Sequence, residues 1–240
     1  MRRAIVISVI LLAMLVLVAC GKDGALGDDD EAAAPAPATT ATATLPPRSS
    51  RDGCRAVPPP VPSQSPERSR SLMRLDPRRN HVAVVRTNCG TIRILLAVQR
   101  SPKTTASFAG LVRGRYFDGL PFHRIAKPGG NDYVIQGGDP LGTGNGGPGY
   151  SVVEAPGSKT RYVRGVVAMA KAADEAPGTS GSQFFVVTAR TTPLAPEYAV
   201  LGRVVAGDGV ISRIAALPTD PVSEMPLDPV VIESIRIERR

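Results

Sequence analysis

A β-rich single domain with two helices and antiparallel strands is predicted from residue 81 onward. Three observations predict it. Apolar and β-branched residues recur in short alternating runs, glycine punctuates those runs, and two stretches carry helix-start chemistry. The span 81–240 is long enough to bury one sizeable core.

The elements follow in order. Residues 81–86 are rich in valine, Asn88-Cys89-Gly90 supplies turn chemistry, and Thr91-Ile92-Arg93-Ile94 alternates polar and apolar, which together predict a hairpin. Ser101-Pro102 starts a helix: a cap residue, then proline at the first helical position. Phe108, Leu111 and Val112 then share one helical face, and Gly114 can end it. Residues 133–136, 165–170, 184–188 and 200–205 read as short strands. Asp208 can cap a second helix whose Val210, Ile211 and Ile214 face inward. Residues 230–237 close the chain as a strand whose alternation slips near Ser234, predicting a bulge.

The first 80 residues have another character. Met1-Arg2-Arg3 followed by an uncharged apolar run to Ala19 has a signal-peptide layout, short for a membrane span of about 20 residues. Leu17-Val18-Ala19-Cys20-Gly21 resembles the lipobox of bacterial lipoproteins. That resemblance implies cleavage after residue 19, lipid on the sulfur of Cys20, and a location on the outer face of the bacterial cell membrane. An uncleaved anchor with a chance cysteine is the alternative, and both readings export the remainder. Residues 20–80 read as a disordered tether. The Ala/Pro/Thr/Ser tract over 34–66 has too few large apolar groups to offset its ordering entropy. A flexible chain of about 60 residues spans roughly 40 Å. With Cys20 lipidated, Cys54 and Cys89 remain as an even pair outside the cytoplasm, where a disulfide persists; two free thiols are the alternative.

The formal charge of +8 falls to +6 once Arg2 and Arg3 leave with the signal segment. Basic residues without interleaved aromatics, in a chain without tryptophan, argue against nucleic-acid binding. A solvated linker beside acidic phospholipid or cell wall accounts for the charge.

Three segments carry the chemistry: Phe122-His123-Arg124, then Tyr133-Val134-Ile135-Gln136-Gly137-Gly138-Asp139, then Gly181-Ser182-Gln183-Phe184-Phe185. They combine one fixed cation, two glutamine amides and several apolar side chains. No acid–base pair, nucleophile–base pair or metal cluster accompanies them. Such a set suits a reaction without covalent change, such as rotation about a peptide bond. An X–Pro bond prefers trans only slightly but exchanges over tens to hundreds of seconds. Amide resonance sets that barrier at about 20 kcal/mol. Twisting makes the prolyl nitrogen more basic, so a donor aimed there lowers the barrier. Arginine offers permanent charge and a fixed fork of donors.

In this order the three segments resemble the cyclophilin family of peptidyl-prolyl cis–trans isomerases, over about 81–237. The resemblance implies a closed eight-stranded antiparallel barrel with a helix over each end. It implies that Arg124 is the catalytic arginine and that no cofactor or metal is needed. Phe122, His123, Tyr133, Val134 and Phe185 match or neighbour the substrate-facing segment and the proline pocket. Gln136 and Gln183 match glutamines that orient the arginine and bind substrate backbone. Ala170, Lys171 and Ala172 match the stretch that pairs with the peptide main chain. Gly144 falls near a glycine that lets the peptide pass, and Leu194 and Tyr198 match the far wall. The partners implied are proline-containing segments of unfolded or exported proteins, whose folding the enzyme would assist.

There are departures from the family pattern. Residues 127–132 form an insertion resembling bacterial members and expected to loop beside the pocket. Lys171 stands where many members have asparagine and is expected to add charge at the rim. Pro193 stands where eukaryotic members have tryptophan, so cyclosporin binding is expected to be weak. Tyr198 replaces a frequent histidine and keeps a hydroxyl.

Competing signals are poor. Gly142-Thr143-Gly144-Asn145-Gly146-Gly147 satisfies GxGxxG, but Pro148-Gly149 follows instead of a helix, so a dinucleotide site is rejected. His81 and His123 are the only histidines, and no GxSxG elbow is present. Two alternatives stay open: a non-catalytic proline-peptide-binding module tethered to the membrane, and a functional tether carrying the barrel as a spacer.

Overall fold

The computed structural model describes residues 53–63 and 72–239, all within the unit Leu45–Arg240. The expected signal segment 1–19 and Cys20 lie outside the described residues.

The hairpin forms as predicted. Strands β1 (His81–Thr87) and β2 (Gly90–Leu96) pair antiparallel, with Val85 opposite Ile92. Asn88 ties its turn to two distant segments. Its Nδ2 donates to the carbonyls of Arg55 and Pro229, and its Oδ1 accepts from the Val231 N–H. Cys89 in the same turn is disulfide-bonded to Cys54, and both are buried. Parts of the expected tether are thus attached to the domain. The Arg55 N–H donates to Asn88, Ser63 to Pro140 and Met73 to Ala106, while Leu75 packs against the core. The cross-link spans 35 residues of sequence, which restricts the unfolded chain.

Helix α1 (Pro102–Arg113) starts and stops where predicted, but its capping differs. The Ser101 side chain makes no capping bond. The Glu154 carboxylate instead accepts from the Lys103 and Thr104 N–H groups at 3.1 and 2.8 Å. A carboxylate suits the partial positive charge of a helix N-terminus. Helix α2 (Asp208–Ala216) is capped by Gly207 at φ 94°, a backbone setting glycine adopts freely. Asp208 is therefore the first helical residue, and its carboxylate turns outward to Arg164. Ile211 and Ile214 are buried as predicted, with Val210 partly buried beside them.

The remaining strands are β3 (Arg124–Ala126), β4 (Val134–Gly137), β5 (Val152–Val153), β6 (Val166–Met169), β7 (Thr179–Ser180), β8 (Phe184–Val187), β9 (Val200–Ala206) and β10 (Ile232–Arg239). Eight of the ten make one curled antiparallel sheet in the order β10-β1-β2-β9-β6-β8-β4-β3, and β5 and β7 pair separately. The bulge falls where the alternation slips. Arg86 pairs with Ser234 and Thr87 with Ile232, so Glu233 is the extra residue.

The expected closed barrel is not observed: the sheet is an open half-barrel with β3 and β10 at its edges. Irregular chain spans the gap. Gly119 N–H donates to Ile232, Ile232 to Leu120 and Phe122 to Val230, around an isolated Pro121–Val231 bridge. Pro121 has no N–H to continue a ladder, and β3 is only three residues long.

Two apolar clusters lie on the two faces of the sheet. The larger fills the space under the helices, with Phe108, Phe117, Phe122 and Phe184 meeting edge-on or tilted. The smaller, on the outer face, comprises Ala126, Val134, Tyr162, Ala168, Phe185 and Val187. Strand β8 feeds both, since successive side chains point to opposite faces. This is why the run Phe184-Phe185-Val186-Val187 is buried throughout.

Candidate active site

Strand register builds the site. Arg124 on β3 lies opposite Gln136 on β4, Gln136 opposite Phe185 on β8, and Phe185 opposite Ala168 on β6. The next row on the same face is Ala126, Val134 and Val187. Alternation brings a cation, an amide and an apolar floor to one outer surface.

Over this floor lies a hollow of about 300 Å³, lined by Arg124, Tyr133, Val134, Gln136, Ala170, Lys171, Phe185, Leu194 and Tyr198. Its far wall is braced from behind. Tyr198 meets Phe185 edge-on at 5.4 Å between ring centres and Tyr162 at 5.9 Å. The Tyr162 hydroxyl donates to the Tyr198 carbonyl and accepts from the Tyr198 N–H. Burial pushes the Tyr162 phenol up to about 12 and raises that of Tyr133, so both stay protonated donors at neutral pH.

The cation sits in a line of hydrogen bonds. Arg124 Nε donates to Glu224 Oε2 at 2.6 Å and Nη1 to Gln136 Oε1 at 3.4 Å. Gln136 Nε2 donates to Gln183 Oε1 at 2.8 Å, and Gln183 Nε2 donates to the Gly144 and Gly146 carbonyls at 2.7 and 2.9 Å. Asp139 holds that glycine loop. Fully buried, its carboxylate accepts from the Leu141, Thr143 and Gly144 N–H groups. These amides, which GxGxxG chemistry would offer to a phosphate, already face an internal carboxylate.

A larger cleft of about 890 Å³ adjoins the hollow and shares Gln136, Ala170 and Lys171 with it. Gly144, Ala172 and Gln183 line this cleft. The expected site residues thus divide into two adjoining recesses. Two of them face neither recess. Phe122 is core, packed edge-on against Phe184 at 5.8 Å, because its backbone pairs toward Val230 before the chain joins β4 at Arg124. His123 is buried, and neither ring nitrogen has a hydrogen-bond partner. Lys171 departs from the charged rim expected of it. Its side chain is only 2% exposed; the ammonium turns to the Ala172 and Glu175 carbonyls and Glu197, 5.9 Å from the Tyr198 ring centre. Those acceptors offset the cost of burying the charge. The insertion at 127–132 forms a single 3-10 turn, Pro128–Gly130.

Residues missed from sequence are Glu224 and Tyr162, and the role of Asp139. Glu224 lies 100 residues from Arg124, and no local pattern marks such a partner.

Burial lowers the proton affinity of His123, Asp139 partly opposes this, and the Arg124 charge adds to it. The folded protein therefore binds that proton less readily than the unfolded chain does. The stability tied to neutral His123 is complete above the unfolded value of about 6.5 and is lost progressively as pH falls through the lower folded value. Urea unfolding between pH 7.5 and 5 should show this decline. His123→Met should flatten it, and an unchanged slope in the variant would dismiss the assignment.

The fold and site together define a curled antiparallel-sheet protein with an apolar recess beside a fixed cation. Comparison with known proteins narrows this class. Residues 82–237 match the family described as cyclophilin type peptidyl-prolyl cis-trans isomerase/CLD. Peptidyl-prolyl cis-trans isomerase B of Streptomyces anulatus is 38% identical over 176 residues, covering 66% of this chain and 97% of the relative. Peptidyl-prolyl cis-trans isomerase A of Mycobacterium tuberculosis is 36% identical over 179 residues, covering 67% and 94%. A crystal structure of a Cryptosporidium parvum cyclophilin type isomerase, in the presence of the dipeptide Ala-Pro, superposes with a TM-score of 0.59 and 31% identity over 65% of this chain and 98% of that one. The chain belongs to the cyclophilin-type peptidyl-prolyl cis–trans isomerase family, and is an enzyme of that kind.

Proposed function

We infer that this enzyme accelerates X–Pro rotation in exported proteins, with Arg124 as the donor to the twisting imide. The row Arg124–Gln136–Phe185 carries this reading, since one register places a fixed fork of N–H groups beside an apolar floor. A proline ring would rest on Val134 and Phe185, between Tyr133 and Tyr198, in the 300 Å³ hollow. The residue before it would lie toward Ala170–Ala172 and the larger cleft. The crystal structure of the Cryptosporidium parvum relative, obtained in the presence of the dipeptide Ala-Pro, supports a proline-containing peptide as the substrate class.

The apolar floor holds the ring while the carbonyl side rotates. The guanidinium donates to the nitrogen as conjugation breaks, an interaction stronger in the twisted state than in either planar one. Gln136, held side chain to side chain by Gln183, gives the cation one contact at 3.4 Å, and each amide oxygen keeps a lone pair for the peptide main chain. The test is exchange NMR on an Ala-Pro peptide: catalysed interconversion is expected, and binding without faster exchange would leave a peptide-binding module instead.

The N-terminal layout supports a lipid anchor at Cys20 on the outer face of the membrane, with folding of exported or surface proteins as the task. Pro193, standing where eukaryotic members have tryptophan and next to Leu194 of the hollow's lining, supports weak cyclosporin binding. Labelled fatty acid fed to expressing cells should enter the wild-type chain and not Cys20→Ala; equal labelling of both would end the anchor proposal.

A further inference from the structure

The loop between α2 and β10 is built around one residue in a costly conformation. Among the described residues, Glu224 and Arg115 are the non-glycine residues with positive φ, and Glu224 sits at 57°. Side chains with a Cβ adopt this left-handed setting at a cost, whereas glycine does not. Neighbours enforce it. Asp220 Oδ1 accepts from the Val222 and Ser223 N–H groups and from the Ser223 hydroxyl. The Glu224 N–H donates to the Asp220 carbonyl, and the Asp220 N–H donates to that of Met225. The Glu224 carbonyl then accepts from the Ile125 N–H at 2.8 Å, which docks the loop on β3 beside Arg124. From there the Glu224 carboxylate reaches Arg124 Nε at 2.6 Å.

We propose that Glu224 is a positioning residue for the isomerisation, clamping Arg124 by Nε so that the Nη edge of the guanidinium faces the hollow. The proposal rests on Arg124 as the donor. A guanidinium on a long side chain turns about its own axis, and one contact to Gln136 at 3.4 Å leaves that turn weakly determined. A second contact, at the opposite end of the fork, fixes the plane. Among the described residues no hydrogen bond engages Nη2, so the clamp leaves that group to a substrate.

Stability does not explain the arrangement. The two side chains are 39% and 30% exposed, and ion pairs so exposed contribute less than the left-handed backbone costs. Strain held at such a position, beside the reacting group, is spent on orientation. The two explanations diverge at Glu224→Gly. A stability role predicts a protein less stable than the wild type, whereas a positioning role predicts one at least as stable as the wild type yet as slow as Glu224→Ala.

Exchange NMR on an Ala-Pro peptide, with the full chain, should show kcat about tenfold lower in Glu224→Ala and Glu224→Gly, with KM within about twofold. Glu224→Gln keeps a carbonyl acceptor and should recover part of the loss. Val222→Ala, a change at the 91% exposed tip of the same loop, should behave as wild type. A second readout is independent of turnover. The Arg124 Nε–H resonance, assigned by its loss in Arg124→Lys, should exchange slowly with water in the wild type and rapidly in Glu224→Ala. Wild-type kcat in Glu224→Ala, or unchanged Nε–H exchange, overturns the proposal while leaving the donor reading intact. An inactive wild type overturns both.

Discussion

Replacing Arg124 by alanine should lower catalysed X–Pro exchange by a factor of about ten to a thousand, the range for loss of one donor made to the reacting state. Folding should survive, because the side chain is over a third exposed and sits at the edge strand β3. Arg124→Lys is the sharper test. The arginine uses Nε toward Glu224 and Nη1 toward Gln136. A lysine ammonium is a single point charge and cannot bridge both while donating to the substrate. Its rate should lie near that of the alanine variant, although charge is retained. Exchange rates equal to wild type in either variant would remove Arg124 from the chemistry.

Asp139→Ala is expected to damage stability and activity together. The wild-type carboxylate is fully buried and takes three backbone N–H groups of the glycine loop. Their loss should cost about 3 kcal/mol in urea unfolding, as expected for breaking a buried charge-assisted set. Activity should fall through a defined route. The Gly144 and Gly146 carbonyls lose their place, then Gln183 its acceptors, then Gln136 and Arg124 their orientation. Asp139→Asn keeps one acceptor oxygen and should lie between. An alanine variant with wild-type unfolding and exchange would show that the loop holds itself.

A line of contacts from Asp139 to Glu224 therefore spans the site, and its members differ in how visible they are in sequence. Arg124, Gln136 and Gln183 sit in short recognisable segments, with spacing set by the strands that carry them. Phe122 and His123 share a segment with Arg124, and were expected at the pocket for that reason. The chain pairs with different neighbours before and after His123, so adjacency in sequence does not become adjacency in the site. Lys171 shows the same limit: its position at the recess was legible, but not the inward turn toward acceptors on its own loop and on Glu197. Barrel closure depended on Pro121 and on the three-residue length of β3, details below the resolution of an alternating pattern.

By itself the sequence determined the local elements and the kit of reactive groups. Alternation, turn glycines and helix-start chemistry act over a few residues, so the hairpin, both helices and most strands could be placed to within one or two positions. Tertiary structure alone decided which groups meet. The Arg124–Glu224 clamp, the Glu154 cap on α1 and the open seam between β3 and β10 each join segments that are tens of residues or more apart. Such contacts form only when the sheet curls and fixes its register, and no short-range preference of the chain encodes them.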